Sequence, residues 1–359
     1  SLLRSGCGGA MVDLEGAWDE DEGFAEEEAA SHVHCATFAF EALQAVGGLP
    51  ADELGGALWF VGSREELEGR LALQGHLDDL RGLQHIFGDP VRLVLVGPEL
   101  ASSTDGYYSG PGLRVSSLAT TAESALAAQV ARAGHADAED AVPAEMATAA
   151  PSVAVAAPPA RAIMCFNAGL GTRILPVAGP WLPALPWLLS AGVPLCFVSP
   201  SRWEARGERK VVLGCLGAKP LTGILRCPFD RQRGCGLVAG AANAWLWWCR
   251  GDAGQPPGSW RPGARAARAH IRRRTRTTAR RELLAWLEVA SAEDGSPDRQ
   301  RALLSAVSLV AGEPEPARQL RSPCGRSSLG RLATSADPGV KAMARRCIRQ
   351  AARGAQRPR

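Results

Sequence analysis

Four short, nearly uninterrupted apolar runs constrain this chain more than any other feature: ALWFVG at 57–62, VRLVLVG at 91–97, AIMCFNAG at 162–169 and VPLCFVS at 193–199. Each is too short for a helix that buries a stripe, and none leaves a polar face. Strands of this kind need cover on both sides, which is the condition met by parallel sheets inside helical layers. Between them lie segments with helical spacing. Ser63 and Glu66 stand at capping-box spacing ahead of Leu67, Leu71, Leu77, Leu80 and Leu83, predicting a helix. TAESALAAQVARA at 121–133 predicts an Ala-rich helix, and CATFAFEALQAVG at 35–47 a short buried one closed by Gly47-Gly48. LRVSSL (113–118) and GILRCPF (223–229) are weaker strand candidates. The expected fold class is α/β: a layered, mostly parallel, Rossmann-like sheet followed by a small all-α helical bundle.

Charge divides the chain. From residue 250 onward there are 23 Lys and Arg against 9 Asp and Glu, a local +14, although the whole chain carries only +3. Residues 11–28 hold nine carboxylates and no base. The organisation this implies is an acidic flexible arm over 1–34 and an α/β domain over 35–250. Within that domain, 138–160 is an Ala/Pro/Val insert. An Arg-rich linker (251–279), a helical bundle (280–352) and a basic tail (353–359) complete the chain. The 28 uncharged residues between Arg173 and Arg202 are long enough to span a bilayer, but six prolines would interrupt a spanning helix at nearly every turn. A short helix, a stop at Gly192 and a central strand account for the stretch better, so no membrane is expected.

The chemistry-bearing motifs are few. Glu99, Asn167 and Ser199 each follow an expected strand, and Gly169 follows Asn167, which puts them where parallel sheets bind ligands. They are ligand-loop candidates for an α/β enzyme or small-ligand binder. Turn formation and backbone-tying are the alternative roles. No G-x-G-x-x-G follows a strand, and there is no P-loop or nucleophile elbow, so no catalytic residue is assigned. The ten cysteines contain no Cys-x-x-Cys, and His32, His34 and Cys35 read as surface histidines beside a core cysteine, so no metal and no cofactor is implied. Six Arg occupy ten positions at 272–281: Arg272, Arg273, Arg274, Arg276, Arg280 and Arg281. Such a run is a solvated linker, a nuclear-import signal or a non-specific contact for nucleic acid or an acidic partner. Without interleaved aromatics it does not read bases.

Beyond 280, Leu283, Leu284 and Leu287 open a helical pattern. Leu303, Val307 and Val310 continue it, closed by Gly312. The last helix is expected to start with Asp337 as N-cap and Pro338 at its first position, burying Val340, Met343, Ala344, Cys347 and Ile348.

Two resemblances follow from ordered motifs. LWFVGSREELEG, VRLVLVGPEL, MCFNAGLG, WLPALPWLLSAGVPLCFVS and the CPF/NAWLW tail resemble the C-terminal domain of mitochondrial splicing suppressor proteins, a domain often found behind a MYND zinc finger. The match covers about 35–250. Gly97-Pro98-Glu99 and Asn167-Ala168-Gly169 keep the pattern, while Cys227 replaces the Asn expected before Pro228-Phe229. LL-x-x-V, ARQL, PCGRSSLGRL and DPGVKAMARRCI, over 280–352, resemble the N-terminal domain of transcription elongation factor TFIIS. There Pro323 intrudes and the closing tryptophan is missing; a generic helical repeat is the alternative. The second resemblance implies a protein-docking bundle without catalysis. Together these readings predict a non-enzymatic adaptor, nuclear rather than cytoplasmic, with protein partners and charge-only contact to nucleic acid.

Overall fold

The computed structural model describes residues 22–49, 56–136, 157–166, 168–172, 175–228, 243–292 and 297–355. In chain order the helices and strands are α1 (Glu22–Ala45), β1 (Ala57–Val61), α2 (Arg70–Leu73), α3 (Gln84–Phe87), β2 (Val91–Val96), β3 (Thr104–Gly110), β4 (Leu113–Leu118), α4 (Ala122–Ala136), β5 (Ala160–Phe166), α5 (Leu175–Ala178), α6 (Ala184–Ser190), β6 (Pro194–Ser199), α7 (Arg202–Val212), β7 (Lys219–Pro220), β8 (Leu225–Arg226), β9 (Trp245–Arg250), α8 (Arg261–Ala290), α9 (Pro297–Ser308), α10 (Pro314–Leu320), α11 (Pro323–Ala333) and α12 (Pro338–Ala355). They form two compact units. The first comprises 1–168, 187–206 and 218–256; the second comprises 169–186, 207–217 and 257–359. Two pieces of the expected α/β domain, 169–186 and 207–217, thus belong with the C-terminal helices.

The first unit is built on a mixed sheet in the order β3-β4-β2-β1-β5-β6-β9-β7, with β8 also pairing β9. The four apolar runs are β2, β1, β5 and β6, adjacent and parallel. All five residues of β1 and all six of β6 are buried, whichever face they point to. On one face, Leu58, Phe60, Leu93, Leu95, Met164 and Trp248 pack with Ala36, Phe40 and Leu43 of α1. The indole of Trp248 donates to the Ala39 carbonyl at 2.8 Å, so its one polar atom is satisfied inside that core.

Several expectations need correction. The helix begins at Glu22 rather than 35, so residues 22–34 are helical and not an arm; 1–21 lie outside the described residues. Most of the 138–160 insert lies outside them too. The single helix expected after Ser63 is instead a π-helical turn (Glu65–Gly69), α2, a 3-10 stretch (Asp78–Leu83) and α3. Ser63 does not cap it, because its hydroxyl donates to the Phe60 carbonyl at 3.0 Å. Gly75, at φ +75°, follows α2 and stops the helical run that began at Glu65.

The second unit packs the end of α8 with α9, α10, α11 and α12. Ala279, Leu283, Leu287, Leu304, Val307, Leu320, Leu329, Leu332, Val340, Ala344 and Cys347 share its core. The caps follow the sequence pattern. Asp337 Oδ1 accepts from the Val340 amide at 2.7 Å, and the Ser322 hydroxyl oxygen accepts from the Gly325 amide at 3.2 Å. Pro323 falls in the first turn of α11, where a missing N–H costs nothing. Ile348 is 41% exposed rather than core. The buried phase of α12 runs Val340, Ala344, Cys347, Ala351, and Ile348 lies one helical step off it.

The largest revision concerns the Arg-rich linker. Residues 261–290 form one 30-residue helix, kinked only at Glu282 (φ −112°, ψ 18°). A buried stripe of Ala267, Ile271, Thr275, Thr278 and Ala279 recurs every three or four residues beneath the arginines. Thr275 strengthens the seat: its hydroxyl donates to the Ile271 carbonyl and accepts from the Leu175 amide, both at 2.9 Å.

Candidate functional site

In the parallel part of the sheet the strand order β4-β2-β1-β5-β6 reverses direction between β1 and β5. That is the arrangement whose carboxyl-end crevice holds ligands in open α/β sheets. Among the described candidates, Glu99 and Ser199 do not converge on it. Glu99 follows β2, is exposed, and pairs through its backbone with Arg64. Ser199 is fully buried at the end of β6, in register with Trp245 of β9. Three strand spacings separate β2 from β6, about 14 Å, too far for one small ligand to bridge Glu99 and Ser199. Gly169 adopts φ +63°, and a side chain there would strike Val177. Asn167 lies outside the described residues.

One polar constellation near this edge was missed. His32, read as a surface residue, is 1% exposed and packs against Phe166 with the rings tilted by 41° and their centres 4.6 Å apart. Its Nε2 lies 3.4 Å from Glu68 Oε1, and its Nδ1 lies 3.5 Å from the Asn243 amide nitrogen. Burial pushes the Glu68 carboxyl upward, but His32 and the Arg64 amide, bonded at 3.0 Å, together hold it below the usual carboxylate range. With a carboxylate on one side of the ring and an amide on the other, the imidazole is held between partners instead of being presented to a substrate. The signal was available in the helix phase: His32, Ala36, Phe40 and Leu43 lie on one face of α1.

The second unit contains the more distinctive site. An open groove of about 780 Å³ is lined by Arg265, Arg268, Arg272, Arg273, Arg276 and Arg280 of α8, with Ala269, Thr277, Leu175 and Leu309 filling the gaps. The helix explains the convergence. Arg268, Arg272, Arg276 and Arg280 recur every four residues, so they climb one ridge while the Ala267–Ile271–Thr275 stripe faces inward. From Arg265 to Arg280 the ridge is about 22 Å long at 1.5 Å per residue.

Of the six arginines singled out from sequence, four line the groove: Arg272, Arg273, Arg276 and Arg280. Arg281 pairs with Glu282 at 2.5 Å, outside the lining. Arg274 is half-buried and also outside it. Burial, and then the charges of Arg274, Lys210 and Arg273, hold His270 below its usual range, a measure of how positive this helix is. Arg265 and Arg268 were missed because a charge-density window starts at 272, whereas helical phase reaches back one further turn.

Among the described residues, one carboxylate meets the ridge. Glu313 Oε1 accepts from Arg276 Nη2 at 2.5 Å and from Arg280 Nη2 at 2.9 Å, while Oε2 accepts from Arg280 Nε at 2.5 Å. Arg280, bonded to it in fork geometry, is the main cause of its lowered carboxyl pKa. Arg265, Arg268, Arg272 and Arg273 have no ion-pair partner among the described residues. Desolvating four uncompensated guanidinium groups is unfavourable, so they stay at the surface, where they can exchange water and counterions for a polyanion.

No family model, curated protein or solved structure matches this chain. Among the described residues, no helix is long and apolar enough to cross a membrane.

Proposed function

We propose that this protein is a non-enzymatic adaptor whose second unit holds nucleic acid by its phosphates along α8. The observation that carries the reading is the ridge of six arginines from one helix lining one groove. A compact polyphosphate could touch only two or three of them, because they are spread over about 22 Å. A linear chain of phosphates can meet all the open ones in turn. The lining contains no aromatic side chain on which a base could stack, so contact is to the backbone and independent of sequence. In this reading 280–352 is the protein-docking module that its resemblance to the TFIIS N-terminal domain implies, and the chain works in gene-expression complexes in the nucleus.

The test uses the full chain and a fluorescein-labelled DNA duplex of about two helical turns, read by fluorescence anisotropy. Four to six phosphate contacts give a slope of about −3.6 to −5.4 in log affinity against log salt. Affinity should then fall about 10²–10³-fold between 50 and 200 mM salt. Replacing Arg272 and Arg273 by Gln should flatten the slope by about 1.8. Binding that is absent, or insensitive to salt, refutes the reading.

A further inference from the structure

Glu313 occupies a position that its own helix does not use. It is the N-cap residue of α10, with extended backbone (φ −82°, ψ 147°), yet its side chain caps nothing there. The carboxylate turns instead to α8, where it takes the Nε–Nη2 edge of Arg280 and one Nη of Arg276. It is 22% exposed, while the two arginines are 51% and 42% exposed. A carboxylate in that fork stands in for a phosphate: two acceptor oxygens, one negative charge, planar bidentate geometry.

We propose that Glu313 is the specificity-determining residue of the groove: it fills the Arg276–Arg280 end with an internal anion and limits the phosphate footprint to Arg265, Arg268, Arg272 and Arg273. This rests on the phosphate-binding reading above and adds the length of polyanion that the site takes. The reasoning is charge balance. A phosphate approaching Arg276 or Arg280 must either displace a carboxylate already bonded three times or sit beside it and meet its repulsion. The four arginines toward the start of α8 impose neither cost.

The consequence is quantitative. Glu313→Gln keeps the side-chain volume and removes the charge, which opens one to two further contacts. The salt slope should steepen by about 0.9–1.8, making duplex binding about 8- to 60-fold tighter at 0.1 M salt, with the two proteins converging toward 1 M. The control is Glu315→Gln. Glu315 pairs with Arg318 at 2.5 Å, so this variant removes an equal charge from the same helix without touching the ridge. It should move the slope by much less. A second pair of variants works in the native background, should Glu313→Gln misfold by circular dichroism. Arg272→Gln should flatten the slope by about 0.9, whereas Arg280→Gln should leave it unchanged because that side chain already serves Glu313.

The outcomes separate the two proposals. No salt-dependent binding by the native chain, nor by Glu313→Gln, overturns the phosphate reading itself. Binding with equal responses to Glu313→Gln and Glu315→Gln, or equal flattening by Arg272→Gln and Arg280→Gln, overturns the role of Glu313 and leaves that reading standing.

Discussion

Leu332 and Ile348 provide a matched test of the second unit's core. Both side chains lose three carbon atoms on conversion to Ala, but Leu332 is 2% exposed inside the shared cluster and Ile348 is 41% exposed. At about 0.8 kcal/mol per buried methylene-sized group, the transfer cost for Leu332→Ala is about 2.4 kcal/mol. Incomplete collapse of the buried cluster that Leu332 belongs to adds a cavity cost, bringing the total to about 3–4 kcal/mol. For Ile348 just over half of the transfer cost applies, and water fills the space. The better helix propensity of Ala over Ile returns a few tenths, leaving about 1 kcal/mol or less. The difference of about 2 kcal/mol or more corresponds to roughly 30-fold in local opening. Amide hydrogen exchange, followed by mass spectrometry on peptides from α11 and α12, reads that ratio directly in the full chain. Equal acceleration by the two variants would refute the helix phase on which the description of this core rests. Unfolding of the unit by Leu332→Ala alone would still satisfy the expectation, because its amides would then exchange unprotected while those of Ile348→Ala do not.

Further expectations concern caps, close approaches and the buried carboxylate. Ser322→Ala removes the hydroxyl that accepts from the Gly325 amide, and should cost about 1 kcal/mol, read as faster exchange at the start of α11. Gly97→Ala should collapse the carboxyl end of β2, since a Cβ there would stand 1.7 Å from the Ser63 carbonyl oxygen; retention of the native melting temperature would contradict that packing. Glu68 has a folded pKa below its ordinary value of 4.5, so its contribution to stability is present above about pH 4.5 and is lost as pH falls through the lowered folded value. Glu68→Gln should remove that part of the acid dependence in denaturant titrations of the first unit, and an unchanged profile would sink the assignment.

The parallel strands were legible because burial on both faces leaves a signature in sequence that no other element shares at that length. β1, β2, β5 and β6 begin and end within a few residues of the expected runs. β3 was invisible for the converse reason. Thr104–Gly110 reads TDGYYSG, the composition of a turn, and becomes a strand only because β4 offers an unpaired edge for an antiparallel partner. The broken helical stretch after β1 failed differently. Leu71, Leu77, Leu80 and Leu83 keep a helical rhythm and are buried, but glycine between them lets the backbone change helix type while the apolar face stays in place. Periodicity reports which side chains go inward; it does not report that the backbone between them is one continuous helix.

The arginine ridge joins these two lessons. Read as composition, 250–281 is a charge run next to prolines, and a charge run is ordinarily a solvated linker. Read as phase, its uncharged members Ala267, Ile271, Thr275 and Ala279 are spaced by four, and only a helix puts them together. Once that stripe is buried, geometry leaves the arginines no choice of direction. Those at 268, 272, 276 and 280 must share a ridge, and the ridge must carry its charge at the surface. The same small side chains that looked too weak to build a core thus do two things at once. They seat α8 on its neighbours, and they turn a diffuse basic composition into an ordered row of guanidinium groups. Glu313 gives that row an end. It comes from a different helix, 33 residues beyond Arg280 in the chain, which is why no local pattern could have announced it. A polyanion meeting this unit would therefore encounter a row of arginines whose spacing is set by the helix and whose length is set by one carboxylate.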